Sequence, residues 1–194
     1  ENTSMRTGGW QVGLGQDLAG STLGIIGLGR LGAKVATIAK AFDMRVTAWS
    51  QNLTKERCAE LGVEYMPDKE ALLADADFVT IHQRLSDRTA GMMSTDEFKC
   101  MKKTAYLINT SRGPIVDDAA LIEAVNNGEI AGAGLDVYDI EPLPASHPLR
   151  TCDGLLLTPH LGYVTRHTWD VFYGETVEAI LAWLAGNPVR VITV

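Results

Sequence analysis

The stretch with the clearest chemistry is Gly27-Leu28-Gly29-Arg30-Leu31-Gly32, which follows the apolar run Leu23 to Ile26 and leads into Ala33 to Ala41 at helical spacing. Strand, glycine loop and helix in this order suit a pyrophosphate. Gly27 permits a tight turn, Gly29 lets the backbone approach the phosphates without a Cβ, and Gly32 lets the helix pack closely on the strand. Free amides at the helix start then face the anion. Gly27, Gly29, Arg30, Leu31 and Gly32 are therefore the candidate phosphate-binding residues. Glycine is common here, at 19 of 194 residues, so the loop alone is a weak signal. The apolar run before it and the Gly- and Pro-free amphipathic segment Ala33 to Met44 after it favour a dinucleotide over a plain turn.

A fold of this kind that prefers NAD usually ends its second strand with Asp or Glu, about 20 residues past the loop, where the carboxylate bonds the ribose 2′-hydroxyl. Here that position is Ser50, followed by Gln51 and Asn52. Ser50 and Gln51 neither repel a 2′-phosphate nor pair with one, and Lys55 and Arg57 are the nearest cations in sequence. NAD is the expected cofactor, with NADP not excluded. A polar turn ahead of Thr54 explains Ser50 to Asn52 about as well as a ribose contact does.

The elements that must position such a loop alternate along the chain. Arg45 to Ser50 is a short β-rich run; Thr54 caps a helix through Leu61, which Gly62 stops. There follow a short strand near Val63 to Met66, a helix from Asp68 to Leu73, a strand at Phe78 to His82, a helix around Thr95 to Met101, and a strand at Ala105 to Asn109. A helix from Asp117 to Asn127 and an apolar run Ala131 to Val137 complete the rhythm. Near-continuous apolar strands separated by helices predict an α/β fold, a doubly wound parallel sheet covered on both faces. From Tyr138 to Pro159 four prolines mark an irregular stretch around a strand at Leu155 to Leu157. A long amphipathic helix, about Arg166 to Ala185, and an apolar tail, Val189 to Val194, end the chain.

Composition excludes several classes. Lys plus Arg number 17 against 24 Asp plus Glu, a formal charge of −7, without a block of like charge, so neither nucleic acid nor a membrane surface is an expected partner. Cys58, Cys100 and Cys152 lie far apart, without disulfide-framework or metal-ligand spacing, so no metal is expected and reduced thiols in the cytoplasm are. No targeting or membrane segment is visible. Glu1 to Gly20 is polar and Gly-rich, lacks an initiator and runs into Gly8-Gly9-Trp10 without an opening structural element, as a piece of a longer chain would.

Three further stretches identify a family: Asn109-Thr110-Ser111-Arg112-Gly113-Pro114, Gly134-Leu135-Asp136-Val137-Tyr138-Asp139-Ile140-Glu141-Pro142, and Thr158-Pro159-His160-Leu161-Gly162. With the glycine loop, in this order and spacing, the chain resembles the D-isomer-specific 2-hydroxyacid dehydrogenases over nearly its whole length. The resemblance implies a Rossmann fold and an NAD(P)-dependent oxidoreductase acting on a D-2-hydroxy acid and 2-oxo acid pair. It also implies that residues 1–194 are the dinucleotide-binding domain, with 1–20 and 166–194 as terminal segments leading toward a second, substrate-binding domain for which this chain has no room. Carried over position by position, it makes Arg112 the residue that binds the substrate carboxylate and polarises its carbonyl, His160 the acid/base, and Glu141 the carboxylate that orients His160. Asp136 is implied at the nicotinamide end of the cofactor with Thr110 on the loop beside it. An Asp ending a strand also often caps backbone amides. Of the other histidines, His82 is placed to line the cofactor groove; His147 and His167 read as structural or exposed.

The chemistry is sound for those residue types. A guanidinium can hold a 2-oxo acid through two parallel hydrogen bonds; imidazole titrates near neutral pH; a neighbouring carboxylate fixes its tautomer and favours its protonated form. A different class shares this fold, an NAD(H)-sensing interaction module of corepressor type, and Arg, Glu and His do not separate the two. Glu141 argues against a formate-oxidising relative, which carries Gln there. The resemblance, together with Trp10, Trp169, Phe172, Tyr173 and Trp183 in the terminal regions, predicts a symmetric homodimer.

Overall fold

The computed structural model describes residues 1–192. Seven strands form one sheet: β1 (Thr22–Ile26), β2 (Arg45–Trp49), β3 (Glu64–Tyr65), β4 (Phe78–Ile81), β5 (Tyr106–Asn109), β6 (Gly132–Leu135) and β7 (Leu155–Leu157). Their order is β3-β2-β1-β4-β5-β6-β7, and every pairing is parallel. Chain order runs outward from β1 to β3, then returns to the other side of β1 at β4. That reversal leaves a crevice beyond the carboxyl ends of β1 and β4, where open α/β sheets take ligands.

The helices are α1 (Asn2–Arg6), α2 (Arg30–Ala41), α3 (Lys55–Glu60), α4 (Lys69–Asp75), α5 (Thr95–Cys100), α6 (Asp118–Asn126) and α7 (Arg166–Leu184). Their starts follow local chemistry. Thr54, Asp68 and Asp117 each accept a hydrogen bond from a backbone amide in the first turn, of Arg57, Ala71, and Ala119 and Ala120 respectively. Ser94 and Glu97 form a reciprocal capping box on α5.

Successive residues of β1 face opposite sides of the sheet. Leu23 and Ile25 pack with Ala36 and Ala39 of α2 and Cys58 of α3. Ile26 packs with Leu72 of α4, Phe98 of α5 and Leu121 of α6. All five residues of β1 are buried, as a central parallel strand requires.

Three sequence expectations need correction. The first residues do carry an element, α1, whose residues are none of them buried; it follows polar Glu1, with no apolar signal to announce it. The sheet is covered on both faces only over part of its width, because α4, α5 and α6 share one side. On the other side, Tyr106 of β5 is 39% and Leu156 of β7 is 71% exposed. The β6–β7 connection is the Pro-rich stretch, whose short 3-10 turn Pro148–Thr151 buries Leu149 in the α4–α6 cluster instead. The third concerns α7: no residue of it is buried, so its apolar residues face outward rather than forming the inner stripe of an amphipathic helix. Of the expected apolar tail, residues 189–192 have no regular structure and 193–194 lie outside the described residues. Among the described residues no helix is long and apolar enough to cross a membrane.

Candidate active site

Six strand ends supply the crevice. At the end of β1, Gly27 has φ +105°, a backbone few side chains tolerate, and a Cβ there would lie 2.7 Å from the carbonyl oxygen of His82. Gly32 approaches the Gly27 carbonyl so closely that a Cβ would collide with backbone. Gly29, the N-cap of α2, is exposed, and nothing lies within 4 Å of where its Cβ would be. The three glycines thus play three parts: turn, open approach and close packing. Arg30 and Leu31 are exposed on the first turn of α2. The arrangement fits a dinucleotide phosphate group.

At the end of β2, Trp49, Ser50, Gln51 and Asn52 line a cavity of about 360 Å³ together with residues of the loop after β4, among them Gln83, Arg84, Arg88 and Thr89. Gln51 Oε1 accepts a hydrogen bond from Arg88 Nη1 at 3.2 Å. The cations nearest in sequence are not those nearest in space. Lys55 lies over the Tyr65 ring, 5.8 Å from its centroid, and Arg57 pairs with Glu60 at 2.9 Å, because α3 turns both away. His82, at the end of β4, has Nε2 3.1 Å from Thr80 Oγ1, and burial pushes its imidazole below the ordinary value. It is half-buried and does not join the residues of that cavity.

At the end of β5, buried Asn109 accepts from the Ser111 amide at 3.0 Å and donates from Nδ2 to the Arg112 carbonyl at 3.0 Å, which folds the loop carrying Arg112. Ser111 Oγ donates to the Gln83 carbonyl and ties this loop to the one after β4. Gly113 is packed against the Tyr138 backbone, with no room for a Cβ. Arg112 Nη1 donates to the Ser111 carbonyl at 2.6 Å. Its guanidinium is exposed, and Asp117 is occupied in capping α6. Thr110 is exposed on the same loop.

The ends of β6 and β7 hold the third part. Glu141 Oε1 accepts from the Tyr138 amide at 2.9 Å, and its Oε2 lies 2.6 Å from His160 Nδ1. The bond to His160, followed by the Tyr138 amide and the charges of His160 and Arg112, holds the Glu141 carboxyl below the usual carboxylate range. His160 has φ +52°, a left-handed conformation uncommon outside glycine. Asp136 supports it. Thr158 Oγ1 donates to Asp136 Oδ1 at 2.5 Å, the Leu161 amide to Oδ1 at 2.8 Å, and the Gly162 amide to Oδ2 at 2.9 Å. Burial pushes the Asp136 carboxyl up, but these three bonds and the charge of His160 bring it below its ordinary value. Of the two roles open to it, amide capping is the one the geometry displays. Tyr138 adds a bond from its hydroxyl to the Thr158 carbonyl at 2.8 Å.

The structure therefore gathers Arg112, Glu141 and His160 beyond the carboxyl ends of β5, β6 and β7, on the same edge of the sheet as the glycine loop. It also brings in residues that the sequence reading passed over. Asn109 and Tyr138 stood inside quoted motifs, but their work as loop braces depends on partners 2 to 20 residues away. Arg84 and Arg88 are separated from Gln51 by α3, β3, α4 and β4, with no local signal.

Residues 1–162 match the family described as D-isomer specific 2-hydroxyacid dehydrogenase, NAD binding domain. A glyoxylate reductase from Aeropyrum pernix is 46% identical over 185 residues, 94% of this chain and 55% of that protein. The crystal structure of a putative D-3-phosphoglycerate dehydrogenase oxidoreductase from Ralstonia solanacearum superposes with a TM-score of 0.92 at 34% identity, covering 98% of this chain and 59% of that one. D-lactate dehydrogenase with NAD+ from Lactobacillus jensenii gives 0.80 at 28% identity, over 100% of this chain and 62% of that one. The chain thus spans between half and two thirds of the length of these relatives.

Proposed function

The chain belongs to the D-isomer specific 2-hydroxyacid dehydrogenase family through its NAD binding domain, and on that premise we propose that it serves the interconversion of a D-2-hydroxy acid and its 2-oxo acid. The observation that carries this reading is the 2.6 Å pair of His160 Nδ1 and Glu141 Oε2, set on the same carboxyl-end edge of the sheet as the glycine loop. The bound nicotinamide cofactor supplies or takes the hydride.

The residues of this chain supply the rest. A carboxylate can only accept, so Glu141 holds the proton on Nδ1 and leaves Nε2 to face the substrate oxygen. In reduction, Nε2 gives its proton to the oxygen of the 2-oxo acid as the carbonyl carbon gains hydride; in oxidation, Nε2 takes the hydroxyl proton. Arg112 holds the substrate carboxylate by paired hydrogen bonds and polarises the carbonyl. Gly27 to Gly32 receives the pyrophosphate, Ser50 and Gln51 face the ribose, and Thr110 and Asp136 stand at the nicotinamide end, Asp136 by fixing the His160 loop.

The His160 and Glu141 side chains are each 35% exposed, so water reaches the reacting end. The other wall of the cleft belongs to a substrate domain of the whole protein, outside these residues, consistent with relatives that are nearly twice as long. Excluding water and fixing the reactants accounts for several kcal/mol of barrier lowering, roughly 7 or more in well-oriented cases. The 194-residue chain alone accordingly binds cofactor and reduces 2-oxo acids poorly. We also place it in a homodimer, since Trp10, Phe172, Tyr173 and Trp183 are all more than half exposed, and in the cytoplasm, where its three free thiols stay reduced.

Calorimetric titration with NADH tests the cofactor half of this reading: the wild type binds and Gly29→Val does not, and equal affinity refutes the loop assignment. Turnover of a panel of 2-oxo acids beginning with glyoxylate, by the whole protein, tests the other half. Cofactor binding without turnover of any of them would favour an NAD(H)-sensing module instead.

A further inference from the structure

We propose that the cavity between the end of β2 and the loop after β4 is a 2′-phosphate subsite, in which Arg88 and Arg84 make the chain prefer NADP(H) to NAD(H). The inference rests on the dinucleotide reading and goes beyond it, since that reading leaves the choice of cofactor open.

The position about 20 residues past the glycine loop is where a dinucleotide fold meets the adenosine ribose. A carboxylate there accepts from the 2′-hydroxyl and repels a 2′-phosphate; this chain places Ser50, Gln51 and Asn52 instead. Among the residues that line the cavity of about 360 Å³ at this point there is no Asp or Glu, and there are two arginines. Their placement is not accidental to one loop. Arg88 reaches across 37 positions of sequence to Gln51, and the backbone between Arg84 and Arg88 is held by Thr89, whose Oγ1 donates to the Arg84 carbonyl at 2.8 Å and accepts from the Ser86 amide at 2.8 Å. Among the described residues, neither guanidinium has a carboxylate within ion-pair distance. Asp87 stands between them in sequence but does not line the cavity.

A chain with a formal charge of −7 repels polyanions in general, so two uncompensated guanidiniums facing one cavity mark a local reversal of sign. Guanidinium forks match phosphate oxygens, and Arg88 spends only one of its five donors on Gln51. The Ser50 hydroxyl and the amide groups of Gln51 and Asn52 add uncharged donors around the same space. A ribose bearing only hydroxyls uses none of this charge.

The test compares dissociation constants of the chain for 2′,5′-ADP and 5′-ADP, and for NADPH and NADH, in the wild type, Arg88→Gln, Arg84→Gln and Ser50→Asp. Expected is about a tenfold preference of the wild type for the 2′-phosphorylated member of each pair, the effect of one hydrogen bond to a charged group. Arg88→Gln and Ser50→Asp each lower that ratio about tenfold, Arg84→Gln lowers it less, and added salt weakens it because both guanidiniums are exposed. Two outcomes overturn the proposal. If NADH and NADPH bind equally in the wild type, or if neither arginine variant moves the ratio, the subsite is wrong while the dinucleotide reading stands. If neither dinucleotide binds at all, both fall together.

Discussion

Replacing Asp136 by Ala removes the acceptor for three hydrogen bonds that hold the loop of His160: the Thr158 hydroxyl at 2.5 Å and the Leu161 and Gly162 amides at 2.8 and 2.9 Å. A hydrogen bond to a charged group contributes about 1.5–3 kcal/mol, so three would sum to roughly 4–9 kcal/mol if all were lost outright. Two effects reduce this. Leu161 and Gly162 are exposed, so water replaces the lost acceptor once the loop moves, and the left-handed backbone at His160 relaxes, recovering about 1–3 kcal/mol. A net loss of about 2 kcal/mol is expected, or about 4–8 °C in Tm for a domain of this size. The sign with pH is fixed. The folded-state pKa of Asp136 is depressed, so its contribution is fully present above the unfolded value of about 3.9 and disappears as pH falls through the folded value. Urea denaturation of wild type and variant between pH 7 and pH 3 reads both quantities. A difference within about 0.5 kcal/mol at pH 7, the range of an ordinary surface change, would refute the claim that Asp136 braces the loop; so would a difference that grows toward low pH.

Gly32→Ala should cost about 1–3 kcal/mol in thermal denaturation because its Cβ meets the Gly27 carbonyl, whereas Gly29→Ala, with open space around it, should stay within about 0.5 kcal/mol and reveal itself in NADH titration. Burial pushes the Glu97 carboxyl up, but Lys69 Nζ at 2.6 Å and the Ser94 amide at 3.0 Å outweigh it. Glu97→Gln should therefore cost about 2 kcal/mol at pH 7; because the folded pKa is depressed, the difference should close as pH falls below about 4, which acid-limb denaturation curves will show or deny. In the whole protein, Glu141→Ala removes the acceptor 2.6 Å from His160 Nδ1 and should lower kcat for 2-oxo acid reduction about tenfold or more, the effect of losing one hydrogen bond to a charged group. An undiminished kcat would break the pairing of the two residues.

The order of strands and helices was readable because a central parallel strand is buried along its whole length, which leaves an apolar run such as Leu23 to Ile26 in the sequence, and because Thr54, Asp68 and Asp117 announce their helices locally. Gly27, Gly29 and Gly32 were readable from their spacing between the apolar run of β1 and the start of α2, although the carbonyl that leaves no room at Gly27 belongs to His82, 55 positions on. What escaped is long-range. Nothing near Gln51 points to Arg88, and nothing at Asp136 says that its oxygens serve residues 22 to 26 positions on. The outward face of α7 escaped too, since a run such as Ala179 to Trp183 reads the same whether it covers the sheet or leaves it.

The most direct measurement is steady-state turnover of a 2-oxo acid by the whole protein, with the chain's His160 intact and as His160→Ala. Loss of proton transfer from a positioned imidazole should lower kcat by about 10²–10⁴, and Arg112→Ala should lower kcat and raise KM for the 2-oxo acid together. Undiminished turnover in His160→Ala would contradict the assignment of the His160–Glu141 pair as the acid/base, and with it the dehydrogenase reading of the site.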